Sequence, residues 1–258
     1  MTIVAILQAR FSSTRLPGKV LLPVLGVPML MRQVERLQRV QRIDHLVIAT
    51  SSDPTDDCIA ALCHQQKWDC YRGSSDDVLD RFYQTACREF CEHVVRLTGD
   101  CPLTDPSVID AVIDYHLAVD WDYTSNALEP TFPDGLDVEV MRFTCLRTAW
   151  KEASLPSHRE HVTPFLYQQP ERFQIGHFKQ AENLSHLRWT VDERADLEFV
   201  RQVYANLYRK TPNFSTDAIL ALLSEQPQLA NINQGFKRNE GYAQSVANES
   251  QQLPIIAN

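Results

Sequence analysis

The strongest constraint on this chain is a rhythm in its first half. Short apolar runs at residues 3–7, 45–50, 68–71 and 93–98 are each of strand length, and each is followed by a polar loop and a stretch with helical spacing. Runs that are apolar on both faces suit strands covered on both faces, and strand–loop–helix alternation joins parallel neighbours. The chain therefore reads as an α/β fold with a parallel sheet and helices on both faces. The intervening helices have their own signals. Pro28 stands at a tolerated first helical position, ahead of Leu30, Val34 and Leu37. Asp53-Pro54 and Asp105-Pro106 are caps for helices that carry one apolar side. Val78, Leu79, Phe82, Ala86 and Phe90 form the inward stripe of another.

The rhythm changes near residue 121. Strands are expected at 121–124, 136–141, 173–178 and 187–191, with helices at 144–152 and at 157–168, the latter kinked at Pro164. Asp192 opens a long helix with Leu197, Val200, Val203 or Tyr204, and Leu207 inward. Residues 1–212 read as a single domain, with a nucleotide-binding half (1–120) and a substrate-side excursion (121–191). Residues 213–258 are a short helix and a polar tail whose last fifteen or so residues are loose. A chain of 258 residues with 44% hydrophobic content can bury such a core. No apolar run approaches the roughly 18–20 residues that span a bilayer, and the N-terminus lacks the order of a signal peptide. Seven scattered cysteines, an odd number, point to a reduced, cytoplasmic setting rather than a disulfide scaffold. The net charge of −8 argues against general nucleic-acid binding. It also means that a polyanionic ligand needs a local cationic loop and a divalent metal to offset repulsion.

Four polar segments, 8–19, 50–53, 72–77 and 96–100, fall at strand ends that a parallel sheet sets along one crevice. The first carries Arg10, Arg15 and Lys19, a phosphate-suited set of forks and a point charge. It is not a Walker loop: the opening glycine is missing and Val20 follows Lys19. Asp100, in Gly-Asp-Cys-Pro, is either a turn aspartate or a ligand for a hard cation such as Mg²⁺. Asp192 suits a helix N-cap. In the stretch from Asp134 to Val140, Asp137 and Glu139 share one strand face while Val138 and Val140 share the other. Such carboxylates suit sugar hydroxyls or a cation. Ser157 and Glu160 fit a capping box. That leaves His158, Arg159 and His161 as cations near a helix start, where an anionic ligand would account for them. Asp76 suits the cap of the helix after Arg72. The Cys87-x3-Cys91-x-His93 spacing is read as core thiols, not zinc.

Several strings together carry a family resemblance. They are A-R-F-S-S-T-R-L-P-G-K from Ala9, R-G-S-S-D-D-V-L-D-R from Arg72, L-T-G-D-C-P-L, P-D-G-L-D-V-E, R-E-H-V-T-P, W-T-V-D, and R-N-E-G-Y from Arg238. They cover nearly the whole chain and resemble the spore-coat polysaccharide (SpsF-type) cytidylyltransferases, relatives of the CMP-sialate and CMP-ketodeoxyoctonate synthetases. The loop Arg10-Phe11-Ser12-Ser13 departs from the sialate enzymes, lacking their glycines. The resemblance implies a Rossmann-like, mostly parallel mixed sheet of the nucleotide-diphospho-sugar transferase type. It implies transfer of CMP from CTP to a sugar, an acidic one by analogy, with pyrophosphate released. On it, Arg10, Arg15 and Lys19 hold the triphosphate, and Asp100 and Asp192 hold Mg²⁺. Gln8, Ala9, Arg72, Ser74 and Asp77 lie near base and ribose. Asp134, Asp137, Glu139, His158, Arg159 and His161 face the sugar. Relatives of this kind often form homodimers. CTP is not separated from UTP by the residues alone, and no general base stands out. Two rivals stay open: a glycosyltransferase using a nucleotide-sugar donor, and a non-catalytic nucleotide-binding protein.

Overall fold

A computed structural model of the chain describes residues 1–236 and 238–252. Strand β1 (Ile3–Gln8) leads into a long loop and a turn of 3-10 helix (Lys19–Leu21). A small hairpin follows, β2 (Pro23–Val24) and β3 (Val27–Pro28), turned through the positive φ of Leu25 and Gly26. Helix α1 (Met29–Leu37) leaves directly from it, so Pro28 is the extended N-cap residue rather than the first helical one. Then come β4 (His45–Ser51), α2 (Asp57–Gln66), β5 (Asp69–Gly73), α3 (Val78–Arg88), β6 (His93–Thr98) and α4 (Pro106–Val119). Asp105 caps α4 as expected, accepting from the Ser107 amide, whereas Asp53 accepts from the Thr55 amide to cap a 3-10 turn (Pro54–Asp56) that runs into α2, whose own N-cap is Asp56. Phe90 does not join the inward stripe. The α3 helix ends at Arg88, and Phe90 turns outward with φ 50°.

The second half supplies β7 (Tyr123–Ser125), β8 (Glu139–Arg142), α5 (Phe143–Glu152), α6 (Pro156–His161), α7 (Pro164–Tyr167) and β9 (Ile175–His177). Three further helices close the chain: α8 (Arg194–Leu207), α9 (Thr216–Glu225) and α10 (Glu240–Gln252). Seven strands form one sheet in the order β5-β4-β1-β6-β8-β7-β9, and β2 and β3 stand apart as a hairpin. The first four are parallel, while β8 runs antiparallel to both β6 and β7. This is the mostly parallel mixed sheet that the resemblance implies. Gln8 pairs with Ala49 and Thr98, Arg96 with Glu139, and Ser125 with both Glu139 and His177. Six neighbouring strands thus bring these ends to one edge.

Strand alternation distributes the core. Val4 and Ile6 pack with α3 and α5, through Phe82 and Leu146, while Ile3, Ala5 and Leu7 pack with α1, α2 and α4, through Val34, Ile59 and Ile113. A third cluster joins α8 and α9 to Val24 of the hairpin, around the buried rings of Trp189, Tyr204 and Phe214. Cys91 lies in the first cluster, and His93 is hydrogen-bonded to His116. No helix among the described residues is long and apolar enough to cross a membrane.

Four local expectations are corrected. Residues 187–191 form no strand: a single bridge pairs Arg188 with Asp134, because the chain crosses the turn at Gly135 once and departs. The helix expected over 157–168 is two helices, broken at Val162 (φ 71°) and restarted by Pro164. The capping box at Ser157 does not form. Pro156 takes the first helical position, and Leu155 is an N-cap without a side-chain bond. Ser157 and Glu160 reach α10 instead, meeting Glu249 and Ser245. Finally, much of the tail expected to be loose is the helix α10, packed on α6; residues 253–258 lie outside the described residues.

Candidate active site

The cleft begins where β1 and β6 end side by side. The Gly99 amide donates to the Gln8 carbonyl at 2.8 Å, and a Cβ on Gly99 would come within 2.9 Å of that oxygen. The loop after Gln8 folds back on itself: the Gly18 amide reaches the Phe11 carbonyl at 2.8 Å, and the Phe11 amide donates to Asp56 at 2.6 Å. Gly18 takes φ 69°, which a side chain would strain. This geometry leaves Arg10 on the rim and directs Arg15 and Lys19 into the cleft. Lys19 is buried, and its Nζ stands 2.9 Å from Asp100 and 2.8 Å from Asp192. Arg15 meets Asp192 at 2.8 Å and Glu240 at 3.0 Å.

Burial works against the Lys19 charge, yet the fields of Asp100 and Asp192 outweigh it and raise its pKa. Burial likewise opposes the Asp100 charge. Lys19, with hydrogen bonds from Thr98 and Cys101, overcomes it and holds Asp100 well below the usual carboxylate range. Asp192 is not the N-cap of α8. Glu193 takes that position and forms a capping box with Asp196, which also pairs with Arg188 at 2.9 Å. Asp192 is thereby left to the cleft.

Across the cleft, Arg188 reaches Asp134 at 3.1 Å and Asp192 at 3.3 Å. Glu139 is held by Arg96, by the hydroxyl of Tyr123 and by Thr163 at 2.6 Å. Asp137 pairs with Arg238, and Val138 and Val140 are buried in the core, as the strand alternation requires. His161 contacts Ser245 at 3.0 Å and lies edge-on to the Tyr242 ring; burial lowers its pKa below the ordinary value, against the pull of Glu160.

Two adjoining cavities result, of ≈ 290 and ≈ 580 Å³, sharing Gln8, Arg15, Asp100 and Asp192. The smaller is lined by Arg96, Asp134, Asp137, Glu139 and His161, the larger by Ala9, Arg10 and Lys19. Five expected site residues line neither. Arg72 donates to the Ser51 and Asp53 carbonyls and pairs with Asp57 at 2.7 Å. Ser74 accepts from the Asp77 amide, and Asp77, not Asp76, caps α3. Asp77 also pairs with Arg159, and His158 is hydrogen-bonded to Gln168. Their polar groups serve the scaffold.

The cytidylyltransferase family profile matches residues 4–234. The chain belongs to the cytidylyltransferase family. Spore coat polysaccharide biosynthesis protein SpsF of Bacillus subtilis is 33% identical over 237 residues, covering 88% of this chain and 96% of that protein. A solved cytidylyltransferase from Leptospira borgpetersenii superposes with a TM-score of 0.86 at 28% identity, covering 92% of this chain and 100% of that one. The structure of CMP:2-keto-3-deoxy-manno-octonic acid synthetase complexed with CTP shares the fold, with a TM-score of 0.60 at 18% identity over 80% of this chain and 99% of that one.

In this cytidylyltransferase, several cleft residues escape sequence reasoning. Arg188 carries no pattern of its own; Thr163 sits in the R-E-H-V-T-P string, and Arg238, Glu240 and Tyr242 in R-N-E-G-Y, without a role assigned to any of them. Arg238 and α10 also lie beyond the matched stretch, yet Glu240 and Gly241 line both cavities.

Proposed function

We propose that this enzyme transfers the cytidylyl group of CTP to a hydroxyl of an acidic sugar and releases pyrophosphate, in the making of surface-polysaccharide precursors. The observation that carries the reading is Lys19, whose ammonium is held between Asp100 and Asp192 where the two cavities meet. The larger cavity has the cationic loop along its wall and suits a triphosphate. The smaller one, lined by carboxylates, Arg96 and His161, suits a polyhydroxylated acceptor. Such a division puts the α-phosphorus at the junction, where in-line attack depends on positioning and on stabilising charge. The names of SpsF and of the octonic acid synthetase support the sugar and the pathway; the CTP bound in the latter supports the nucleotide.

Arg10 and Arg15 would bind the phosphates, with Lys19 steadying the charge that develops as pyrophosphate departs. Gln8 and Ala9 stand at the end of β1, within reach of the nucleoside. Asp134, Asp137 and Glu139 would accept hydrogen bonds from the sugar. Asp100 and Asp192 fit a hard divalent cation: two carboxylates converge on one charged point, and magnesium takes one or two such ligands with waters and phosphate oxygens. When bound, Mg²⁺ would neutralise phosphate charge there.

Thermal melts with CTP, UTP, GTP and ATP, each with and without Mg²⁺, test the nucleotide. A ligand at a hundred times its dissociation constant adds about 2.7 kcal/mol. CTP with Mg²⁺ is expected to give the largest shift, followed by pyrophosphate release when 2-keto-3-deoxy sugar acids are added. Stabilisation by nucleotide sugars alone would sink the proposal in favour of glycosyl transfer.

A further inference from the structure

Resting on the nucleotidyl-transfer reading, we propose that Asp137 is the base that takes the acceptor's hydroxyl proton, and that Arg238 is the positioning residue that tunes it. The argument starts from how the carboxylates of the smaller cavity are engaged. Asp100 and Asp192 are tied to Lys19, Asp134 to Arg188, and Glu139 to three donors at once. Asp137 has one hydrogen-bond partner among the described residues, Arg238, and keeps 27% of its side-chain surface open, against 11% for Glu139 and 12% for Asp134. It lines the same cavity as Asp100 and Asp192, so it faces the place where acceptor and α-phosphate meet.

Its surroundings favour proton uptake near neutrality. Burial is the largest influence; Arg238 opposes it, and Asp134, Glu139 and Asp100 add to it, with the result that the Asp137 carboxyl is raised to about 7. A base poised at the working pH is the most effective kind. In the step, the acceptor O–H proton passes to an Asp137 carboxylate oxygen. The freed electron pair forms the bond to the α-phosphorus. The bond from that phosphorus to its bridging oxygen breaks, and its pair leaves on pyrophosphate. Arg238 acts through Asp137: it comes from the segment beyond the family match, and its other contacts are the Phe132 carbonyl at 3.1 Å and the Asp134 carboxylate at 3.9 Å.

The test uses the full chain with CTP, Mg²⁺ and 2-keto-3-deoxy-manno-octonic acid as the acceptor probe, alongside Asp137→Asn and Arg238→Gln. Wild-type kcat/KM for the acceptor is expected to rise with pH along a limb centred near 7. Asp137→Asn should lose kcat by about 10²–10⁴-fold, lose that limb, and keep its affinity for CTP in calorimetry. Arg238→Gln should move the limb to higher pH, because a cation facing the carboxyl is gone. Infrared titration of the enzyme without substrates gives a second readout: a protonated carboxyl that titrates near neutrality and is absent from Asp137→Asn. An unchanged kcat, a limb that survives in Asp137→Asn, or no such carboxyl would overturn the assignment. A wild-type chain that neither binds CTP nor releases pyrophosphate with any sugar acid overturns the nucleotidyl-transfer reading instead, and the infrared result still decides whether Asp137 titrates there.

Discussion

Lys19 does two jobs that can be separated by replacing it. Lys19→Met leaves Asp100 and Asp192 facing each other with their shared cation gone, and breaking such a pair from one side is destabilising. The three side chains keep 11%, 25% and 20% of their surface, so screening tempers the effect. A loss of about 2 kcal/mol follows, or a fall in Tm of about 4–8 °C for a chain of this size. Added Mg²⁺ or Mn²⁺ should then raise the variant's Tm by more than it raises the wild type's, since a divalent ion can take the lost position. Equal shifts in paired melts would separate the metal from this carboxylate pair. The charges themselves were legible in the sequence as strand-end residues, but the pairing was not. Lys19 finds Asp100 across 81 positions and Asp192 across 173, and no local pattern encodes such distances. Arg72, Arg159 and His158 show the converse. Their residue type suits a ligand, and only the fold reveals nearer partners.

At the scale of elements, α4 and β6 meet through two buried imidazoles. His93 Nδ1 and His116 Nε2 are 3.1 Å apart, and His116 Nδ1 is 2.9 Å from Thr124. Burial lowers both pKa values, that of His116 to about 3, helped by its neighbours His93 and Arg142. The folded state therefore holds this histidine neutral while the unfolded chain protonates it near 6.5. The unfolded state binds more protons below that value. Stability is thus fully present above about pH 6.5 and declines as pH falls towards 3, by up to about 1.4 kcal/mol per pH unit for one such group. Urea melts between pH 7.5 and 5 should show that decline, and His116→Gln should flatten it; an unchanged slope would remove the pair as its source. A second element, α10, holds Arg15 through Glu240, an ion pair with 33% and 40% of its side-chain surface open. Such a pair contributes about 0.2–1 kcal/mol. If it competes with phosphate for Arg15, Glu240→Gln should tighten CTP binding by up to about fivefold in calorimetry, and weaker binding would mean that Glu240 aids the nucleotide. Elements with strong apolar periodicity, such as β1, β6 and α4, were legible from sequence. The β2–β3 hairpin, the break at Val162 and helix α10 were not. Two-residue strands have no period, Val at φ 71° is a tertiary choice, and the burial of α10 depends on α6.

The molecule as a whole closes its site by crossing distant parts of one chain, and Gly135 is where that crossing is tightest. The Asp134 carbonyl accepts from the amides of Trp189 and Thr190, at 2.6 and 2.8 Å, and the Val191 amide then reaches the Asp100 carbonyl at 2.8 Å. One short length of backbone thus ties the wall that carries Asp134 and Asp137 to the segment that presents Asp192, and both to the end of β6. Gly135 makes this possible. It has φ 109°, and a Cβ there would fall 2.5 Å from the Thr190 nitrogen and 2.7 Å from the Trp189 carbonyl carbon, both of them backbone atoms that no rotamer change can clear. Gly26 provides the comparison, since its φ is also positive, at 80°, yet a Cβ would meet nothing within 4 Å. Gly26→Ala should therefore cost only backbone strain, about 1–2 kcal/mol. Gly135→Ala carries strain and a clash, and should lose about 3–5 kcal/mol. Because the clash pushes on the segment before Asp192, Gly135→Ala should also weaken CTP–Mg²⁺ binding, whereas Gly26→Ala should leave it unchanged. Chemical melts and calorimetry on the two variants read the stability and the site separately. If Gly135→Ala is no less stable than Gly26→Ala and binds CTP as the wild type does, the crossing is not what holds the two cavities together.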